Sequence, residues 1–341
     1  MINTFKIDNI DFQTSTDIKN ELIIKSHPKN YKAIFSKFKN NFNSKEIVLV
    51  DKNVQQLYNI NHDKMIIIEA TEQNKSIETV LNVCEQLTKF SFDKGFTLIV
   101  IGGGIIQDIG AFTSKIYKRG INWVFYPTTL LSQCDSCIGG KTALNFKSYK
   151  NQLALFSAPQ QVIIDTNFLK TLSKEDIISG YGEIVKLFLI GGEYYINNID
   201  NFDYNAAIYH ALNIKKAVVD YDEFENNERK SLNYGHSFGH VIEPLTNYKI
   251  PHGEAVLLGI EIINQIFDKN STITNLINKY TNIDKIKHLD TSKIISDLKS
   301  DKKVKNGIIS FVVVPYPGKT IFVDTNIDNL LKEKVNEIFV D

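Results

Sequence analysis

The second half of the chain carries one carboxylate and three imidazoles in a pattern suited to binding a metal ion. Glu183 stands on a predicted helix with Lys186 three residues later, so the two charges share one face of an otherwise apolar segment. His236, His240 and His252 follow. A catalytic zinc ion takes three such ligands and keeps one position open. The spacing leaves the ligand set undecided, although an HxxxH pair on one helical turn would nominate His236 with His240.

Two of these histidines belong to a longer row of polar residues. Arg229, Asn233, His236 and His240 are spaced so that, at about 100° per residue, all four lie within about 40° of one line along a helix. Exposed polar faces normally carry lysine and glutamate, whereas this face carries guanidinium, amide and imidazole groups. His252 follows a proline and is expected at the start of the next helix. We therefore predict that this helix face belongs to a functional site.

A run of three glycines, Gly102-Gly103-Gly104, follows the strongest predicted strand and leads into an apolar helix. Such a turn lets backbone N–H groups at the helix N-terminus approach a pyrophosphate closely. The run lacks the GxGxxG spacing of the dinucleotide fingerprint, and tight turns need glycine for conformational reasons alone. By itself the pattern leaves both a nucleotide site and a plain turn open.

Other polar residues are expected near this turn. Asp51 follows one predicted strand, and Glu72 and Lys75 follow the next, which places them at the carboxyl edge of a parallel sheet, where open α/β folds bind nucleotides. A later segment supplies hydroxyl, carboxylate, ammonium and amide groups that suit a phosphorylated ligand, namely Thr128, Thr129, Ser132, Asp135, Lys141, Thr142, Lys150 and Asn151.

The elements that must position these residues differ between the two halves. Short β-branched runs at 46–50, 65–68, 97–101, 123–126 and 161–164 alternate with amphipathic segments, which predicts buried parallel strands joined by helices. Helical patterns follow at 174–190, 204–219, 232–243, 254–267 and 283–299, with a strand at 307–315 and a helix at 332–338. We predict an α/β fold in which a Rossmann-like parallel-sheet domain, 1–171, precedes a mainly helical metal-binding domain, 172–341.

Composition narrows the class of protein. The chain has 341 residues, a formal net charge of zero and 43% hydrophobic residues, which favours a folded protein without nucleic acid or an anionic membrane as partner. No signal-like start and no uninterrupted apolar stretch of about 18 residues is present. Three cysteines, Cys84, Cys134 and Cys137, are too few for a disulfide framework. We expect a cytoplasmic protein.

Taken together, the motifs resemble the 3-dehydroquinate synthase family of sugar-phosphate cyclases, from about Asp51 to Gly318. The matching stretches are 102–108, 117–120, 127–131, 135–141, 150–151, 182–186, 232–240 and 252–256. The resemblance implies a zinc ion, or alternatively cobalt, bound by Glu183, His236 and His252. His240 would then face the substrate near its phosphate.

The resemblance also implies residue roles for a cofactor and a substrate. NAD contacts would come from Asp51, Glu72, Lys75, Gly103, Gly104, Ile105, Asp108, Thr128, Thr129, Lys141, Lys150, Phe168 and Thr171. Substrate contacts would come from Asp135, Lys141, Asn151, Lys186, Lys215, Arg229, Asn233, His240 and Lys302 or its neighbour Lys303, with Arg119 reaching in from the partner subunit of a homodimer.

The reaction implied is the conversion of 3-deoxy-arabino-heptulosonate 7-phosphate to 3-dehydroquinate and phosphate, by oxidation, phosphate elimination, reduction and aldol closure. The chain departs from the family pattern at Gln107 and Ala154, where glycines are common, and at 145–149, which replaces a His-Pro loop. These departures leave open a sister cyclase acting on sedoheptulose 7-phosphate or an aminated heptulosonate phosphate. A metal-dependent polyol dehydrogenase and a non-catalytic scaffold are the remaining alternatives.

Overall fold

The computed structural model describes residues 1–147, 149–299, 304 and 306–339. The strands are β1 Ile2–Ile7, β2 Ile10–Ser15, β3 Glu21–Ile24, β4 Tyr31–Phe35, β5 Glu46–Asp51, β6 Met65–Ile68, β7 Thr97–Gly102, β8 Asn122–Pro127, β9 Lys141–Phe146, β10 Tyr149–Phe156, β11 Gln161–Ile164, β12 Ile308–Tyr316 and β13 Lys319–Asn326. The α-helices are α1 Lys52–Leu57, α2 Ile77–Lys89, α3 Gly104–Ile116, α4 Lys174–Gly191, α5 Glu193–Asn198, α6 Tyr204–Tyr221, α7 His236–Leu245, α8 His252–Phe267, α9 Ser271–Ile277, α10 Thr291–Lys299 and α11 Asn329–Phe339. None of the helices in the described ranges is long and apolar enough to cross a membrane.

The chain divides into two compact units, and the first, which we call the α/β unit, is Lys19–Leu172. Its seven-stranded sheet has the order β3-β4-β11-β8-β7-β5-β6. All neighbouring pairs are parallel except β3 with β4. The five predicted strands are confirmed as β5, β6, β7, β8 and β11. The central strands β5 and β7 are buried on both sheet faces, whereas Ile67 of the edge strand β6 is exposed. The β3–β4 and β9–β10 hairpins were not predicted.

The order of the strands reverses beside β5 in this sheet. From β5 the chain goes to β6 on one side and then returns to β7 on the other side of β5. In open α/β sheets a ligand binds at such a reversal, outside the carboxyl ends of the two strands. Asp51 ends β5, and Gly102 ends β7, so the predicted nucleotide residues meet at the reversal.

The second unit, which we call the helical unit, combines Met1–Ile18 with Ser173–Asp341. Besides its helices it contains a four-stranded sheet of order β12-β13-β1-β2. The first eighteen residues therefore depart from the predicted domain of 1–171, because β1 pairs with β13 at the far end of the sequence. The helix predicted at 283–299 is confirmed only over α10, Thr291–Lys299, because the residues before it form a short turn, Ile283–Lys285.

Candidate metal centre and nucleotide site

Three predicted metal ligands come together in the helical unit from three different helices. Glu183 lies in α4, and His236 and His252 are the first residues of α7 and α8. One ligand atom from each lies within 4.8 Å of the others. The Nε2 atoms of His236 and His252 are 3.6 Å and 3.3 Å from the same oxygen, Oε1 of Glu183. One carboxylate and two imidazoles converging on one point is a donor set that fits a catalytic zinc ion.

The histidine pair nominated by spacing is wrong. In the part of the chain that the structure describes, His236 and His240 do not share a three-ligand group, although their ring centroids are 5.2 Å apart. His240 instead forms a second, more exposed group with Glu243 and His252. The ring of His240 therefore stands beside the buried group without completing it.

The second nitrogen of each buried-site imidazole has an acceptor. The Nδ1 of His236 lies 3.1 Å from the backbone oxygen of Tyr234, and the Nδ1 of His252 lies 3.1 Å from Oε2 of Glu243. Carbonyl and carboxylate oxygens only accept hydrogen bonds, so both Nδ1 atoms donate. Each Nε2 therefore faces Glu183 while Nδ1 is held by its own acceptor, which is the orientation that metal-binding histidines show.

The electrostatics of the group centre on a carboxylate that is almost fully buried. Glu183 is 1% exposed and its oxygens face Lys186, His236 and His252. Burial alone would raise the pKa of Glu183, but Lys186 and His252 outweigh it and hold the pKa well below its ordinary value. Burial lowers the pKa of His252, but the carboxylates of Glu183 and Glu243 raise it to about 10. The carboxylate is therefore ionised, as a metal ligand must be.

The predicted polar helix face is interrupted. Arg229 and Asn233 lie in a 3₁₀ turn, Glu228–Asn233, and α7 begins only at His236. Gly235 between them has φ of +78°, and a Cβ there would lie 2.5 Å from the backbone oxygen of Val256. The chain needs glycine at this point because both the positive φ and the close approach to α8 exclude a side chain. Periodicity alone did not reveal this break.

The other predicted substrate residues of the helical unit are mostly buried. Lys215 lies in α6 and, like Lys186 and Arg229, is at most 6% exposed. The side-chain amide of Asn233 donates to Oε1 of Glu225 over 2.8 Å. Glu225 was not predicted as a site residue. Its φ of +60° is a backbone conformation that non-glycine residues rarely adopt. The predicted contact Lys302, with Lys303, lies outside the described residues.

The glycine turn of the α/β unit has the predicted form. Gly103 is the N-cap of α3 and offers no side chain, and a Cβ at Gly103 would lie 2.9 Å from the Thr129 side chain. A Cβ at Gly104 would meet nothing within 4 Å. The open first turn of α3, including Ile105, thus presents N–H groups without helical partners, which suits a phosphate group. Thr128 donates its N–H to the oxygen of Gly102 over 3.0 Å.

Predicted cofactor and substrate residues of the α/β unit form one polar network. Lys75 Nζ lies 2.7 Å from Oδ2 of Asp108 and donates to Oδ1 of Asn151 over 2.7 Å. Burial raises the pKa of Asp108, although Lys75 opposes this. The amide of Asn145 donates to Oε1 of Glu72 over 2.8 Å, and its oxygen accepts from Asn151 N over 3.0 Å. Asn145 was missed because the 145–149 segment was treated only as a departure.

The remaining predicted residues of this unit have varied surroundings. Asp51 caps α1 by accepting from Asn53 N over 3.3 Å, and burial raises its pKa. Phe168 is a core residue whose ring packs on Phe38 and Tyr58. The hydroxyl of Thr171 lies 3.1 Å from that of Tyr58, and Nζ of Lys150 lies 3.9 Å from Oε1 of Glu72. Lys141 lies in β9, and Asp135 lies in a helical turn, Ser132–Ser136. Arg119 is exposed in a tight turn and has a φ of +65°.

The departure at Gln107 has a structural explanation. Its Nε2 donates to the backbone oxygen of Ser136 over 2.7 Å, and the Ser136 hydroxyl donates to its Oε1 over 2.6 Å. Glycine could make neither bond. Gln107 therefore ties α3 to the turn that carries Asp135.

Replacing Lys75 with methionine should lower the stability of the ligand-free protein. The change keeps the aliphatic length but leaves Asp108 and Asn151 without their shared cation, which we expect to cost roughly 2–3 kcal/mol. The urea midpoint of unfolding without NAD would measure this, with Lys89→Met as an exposed ion-pair control. An unchanged midpoint would mean that Lys75 acts only through a bound ligand.

Comparison with known proteins identifies the family. The 3-dehydroquinate synthase N-terminal family matches residues 65–179, and the 3-dehydroquinate synthase C-terminal family matches 180–304. The 3-dehydroquinate synthase of Pelagibacter ubique is 39% identical over 282 residues, covering 74% of this chain and 75% of that protein. The enzyme of the same name from Ruminiclostridium cellulolyticum is 33% identical over 320 residues, covering 86% and 89%.

Solved structures agree on the fold. A 2-deoxy-scyllo-inosose synthase complexed with carbaglucose-6-phosphate, NAD⁺ and Co²⁺ has a TM-score of 0.79 at 20% identity, covering 93% of this chain and 99% of that one. ValA, a 2-epi-5-epi-valiolone synthase from Streptomyces hygroscopicus subsp. jinggangensis with NAD⁺ and Zn²⁺ bound, has a TM-score of 0.77 at 20% identity, covering 92% and 98%. From the two family matches and the relatives matched over three quarters or more of their length, the chain belongs to the 3-dehydroquinate synthase family of sugar-phosphate cyclases.

Proposed function

We propose that this protein is a 3-dehydroquinate synthase, converting 3-deoxy-arabino-heptulosonate 7-phosphate to 3-dehydroquinate and phosphate with NAD and a divalent metal, zinc in the first instance. The observation that carries the proposal is the convergence of Glu183, His236 and His252 on one point in the helical unit. The relatives named 3-dehydroquinate synthase support the choice of substrate.

The α/β unit would hold NAD. The strand reversal beside β5, the open N-terminus of α3 and the carboxylate of Asp51 are the features that a dinucleotide site needs. When bound, the metal would polarise a substrate hydroxyl, and NAD would supply a reversible oxidation of the same carbinol carbon.

The chain's own residues would bind and orient the substrate. Lys186, Lys215 and Arg229 are cationic side chains held in buried positions, which suits neutralisation of a phosphate and a carboxylate. Asn233 and His240 would add hydrogen bonds. Holding an open-chain product in one conformation favours its intramolecular aldol closure.

Purified protein with NAD, zinc and the heptulosonate phosphate should release inorganic phosphate and form 3-dehydroquinate without accumulating NADH. The matched control is the same protein after metal removal, which should release none. Phosphate release from sedoheptulose 7-phosphate but not from the heptulosonate would assign a sister cyclase instead. Stoichiometric NADH formation from glycerol would assign a dehydrogenase.

The proposed enzyme is a homodimer in which Arg119 of one subunit serves the substrate of the other. Its exposed position in a tight turn supports such a role. If so, mixing the inactive variants Arg119→Ala and Glu183→Gln should restore part of the activity, because each mixed dimer contains one complete set of residues. No recovery, with dimers confirmed by light scattering, would argue for a role within one subunit.

A further inference from the structure

His252 lies between two carboxylates, and each of them faces a different nitrogen of the imidazole ring. Its Nε2 faces Oε1 of Glu183 at 3.3 Å, and its Nδ1 faces Oε2 of Glu243 at 3.1 Å. Glu183 belongs to the predicted ligand set, but no role was predicted for Glu243. Glu243 lies in the last turn of α7, whereas His252 begins α8. The contact therefore joins the end of one helix to the start of the next.

Glu243 has two possible relations to a metal ion. It could be a ligand itself, together with His240 and His252, since their ligand atoms also lie within 4.8 Å of one another. Alternatively it could act on His252 from behind while the ion binds at Nε2. The two ligand groups differ in burial, because Glu183 and His236 are buried, whereas His240 is exposed. An ion held at the buried site is shielded from water and retains its ligands more firmly.

His236 provides an internal comparison. It also presents Nε2 to Oε1 of Glu183 while its Nδ1 donates to an acceptor, the backbone oxygen of Tyr234. Glu243 occupies the equivalent position behind His252. Both imidazoles thus present Nε2 to the same carboxylate oxygen while Nδ1 faces an acceptor.

We propose that Glu243 is a positioning residue that fixes the ring orientation and tautomer of His252, so that Nε2 is available to the metal. The inference rests on the proposed function, since it takes Glu183, His236 and His252 as the ligands. The negative charge of Glu243 also makes the His252 imidazole a stronger donor. Outer partners of this kind typically change metal affinity by about 10–100-fold.

The test is the zinc dissociation constant of Glu243→Ala and Glu243→Gln, measured by chelator competition, with the Co²⁺ absorption spectrum as a report on the ligands. Glu243→Ala should weaken zinc binding about 10–100-fold. Glu243→Gln should have a smaller effect, because its amide oxygen still accepts from Nδ1. The Co²⁺ spectrum should keep the wild-type band positions, since the ion keeps its three ligands.

The matched control is Glu254→Gln. Glu254 is a buried carboxylate two residues after His252, but its Oε1 accepts from Thr281 over 2.7 Å and pairs with Lys285. This control should lower thermal stability and leave zinc affinity within about twofold, which separates positioning from general destabilisation.

Three results would overturn the inference. Zinc affinity of Glu243→Ala within twofold of wild type would show that His252 needs no such partner. A shift of the Co²⁺ bands that indicates one ligand fewer would make Glu243 a ligand. Equal weakening in Glu254→Gln would show that the effect on zinc affinity is structural.

If the wild-type protein itself binds no zinc, the proposed function is contradicted, and that outcome is distinguishable from the other three. If Glu243→Ala does not fold, Glu243→Gln alone decides.

Discussion

Glu183→Gln is expected to lower phosphate release by about 1,000-fold or more, because loss of an anionic ligand removes a metal contribution of several kcal/mol. Glutamine keeps the size of the side chain but offers a neutral oxygen to the ion. The change also leaves Lys186 as a buried cation without the carboxylate that faces it. Metal content by mass spectrometry and phosphate release by a coupled assay would measure the two effects.

This substitution should weaken metal binding and the phosphate release that depends on it, but not NAD binding. NAD titration should give a dissociation constant close to that of wild type, since the predicted cofactor residues lie in the α/β unit. The control for the charge on Lys186 is the double variant Glu183→Gln with Lys186→Met, which should recover stability but not activity. A fully active Glu183→Gln variant with bound metal would remove Glu183 from the ligand set.

Gly253→Ala is expected to disrupt the group of Glu183, His236 and His252, because the added methyl group would collide with backbone atoms. A Cβ at Gly253 would lie 1.8 Å from the backbone oxygen of Ser179, and one at Gly182 would lie 2.1 Å from the backbone oxygen of Gly253. Neither obstacle can rotate away, so α4 and α8 would have to separate. We expect a cost of about 3 kcal/mol or more in unfolding free energy and a large loss of zinc affinity.

The measurement is the denaturant midpoint followed by helical circular dichroism, together with zinc competition. Gly95→Ala serves as control, because a Cβ there would meet only the Asp93 side chain, at 4.0 Å. It should shift the midpoint little. A Gly253→Ala protein with wild-type midpoint and zinc affinity would mean that the close approach of the two helices does not position Glu183 and His252.

Much of this architecture could be predicted from the residues alone. The parallel strands follow from short β-branched runs, and the glycine turn before α3 follows from Gly102-Gly103-Gly104, because strand and turn preferences act within a few residues. The helix that carries Glu183 and Lys186 was predicted at 174–190 and observed as α4. The choice of His252 as ligand came from family resemblance and not from spacing.

Contacts between distant segments needed the tertiary structure. The pairing of β1 with β13, the close approach of Gly235 to α8 and the hydrogen bond from His252 to Glu243 each join parts of the chain whose approach leaves no periodic signal. The convergence of Glu183, His236 and His252 depends on glycines that let the backbones of α4, α7 and α8 nearly touch. Local patterns specify which helices form, whereas the steric fit between them decides which side chains meet.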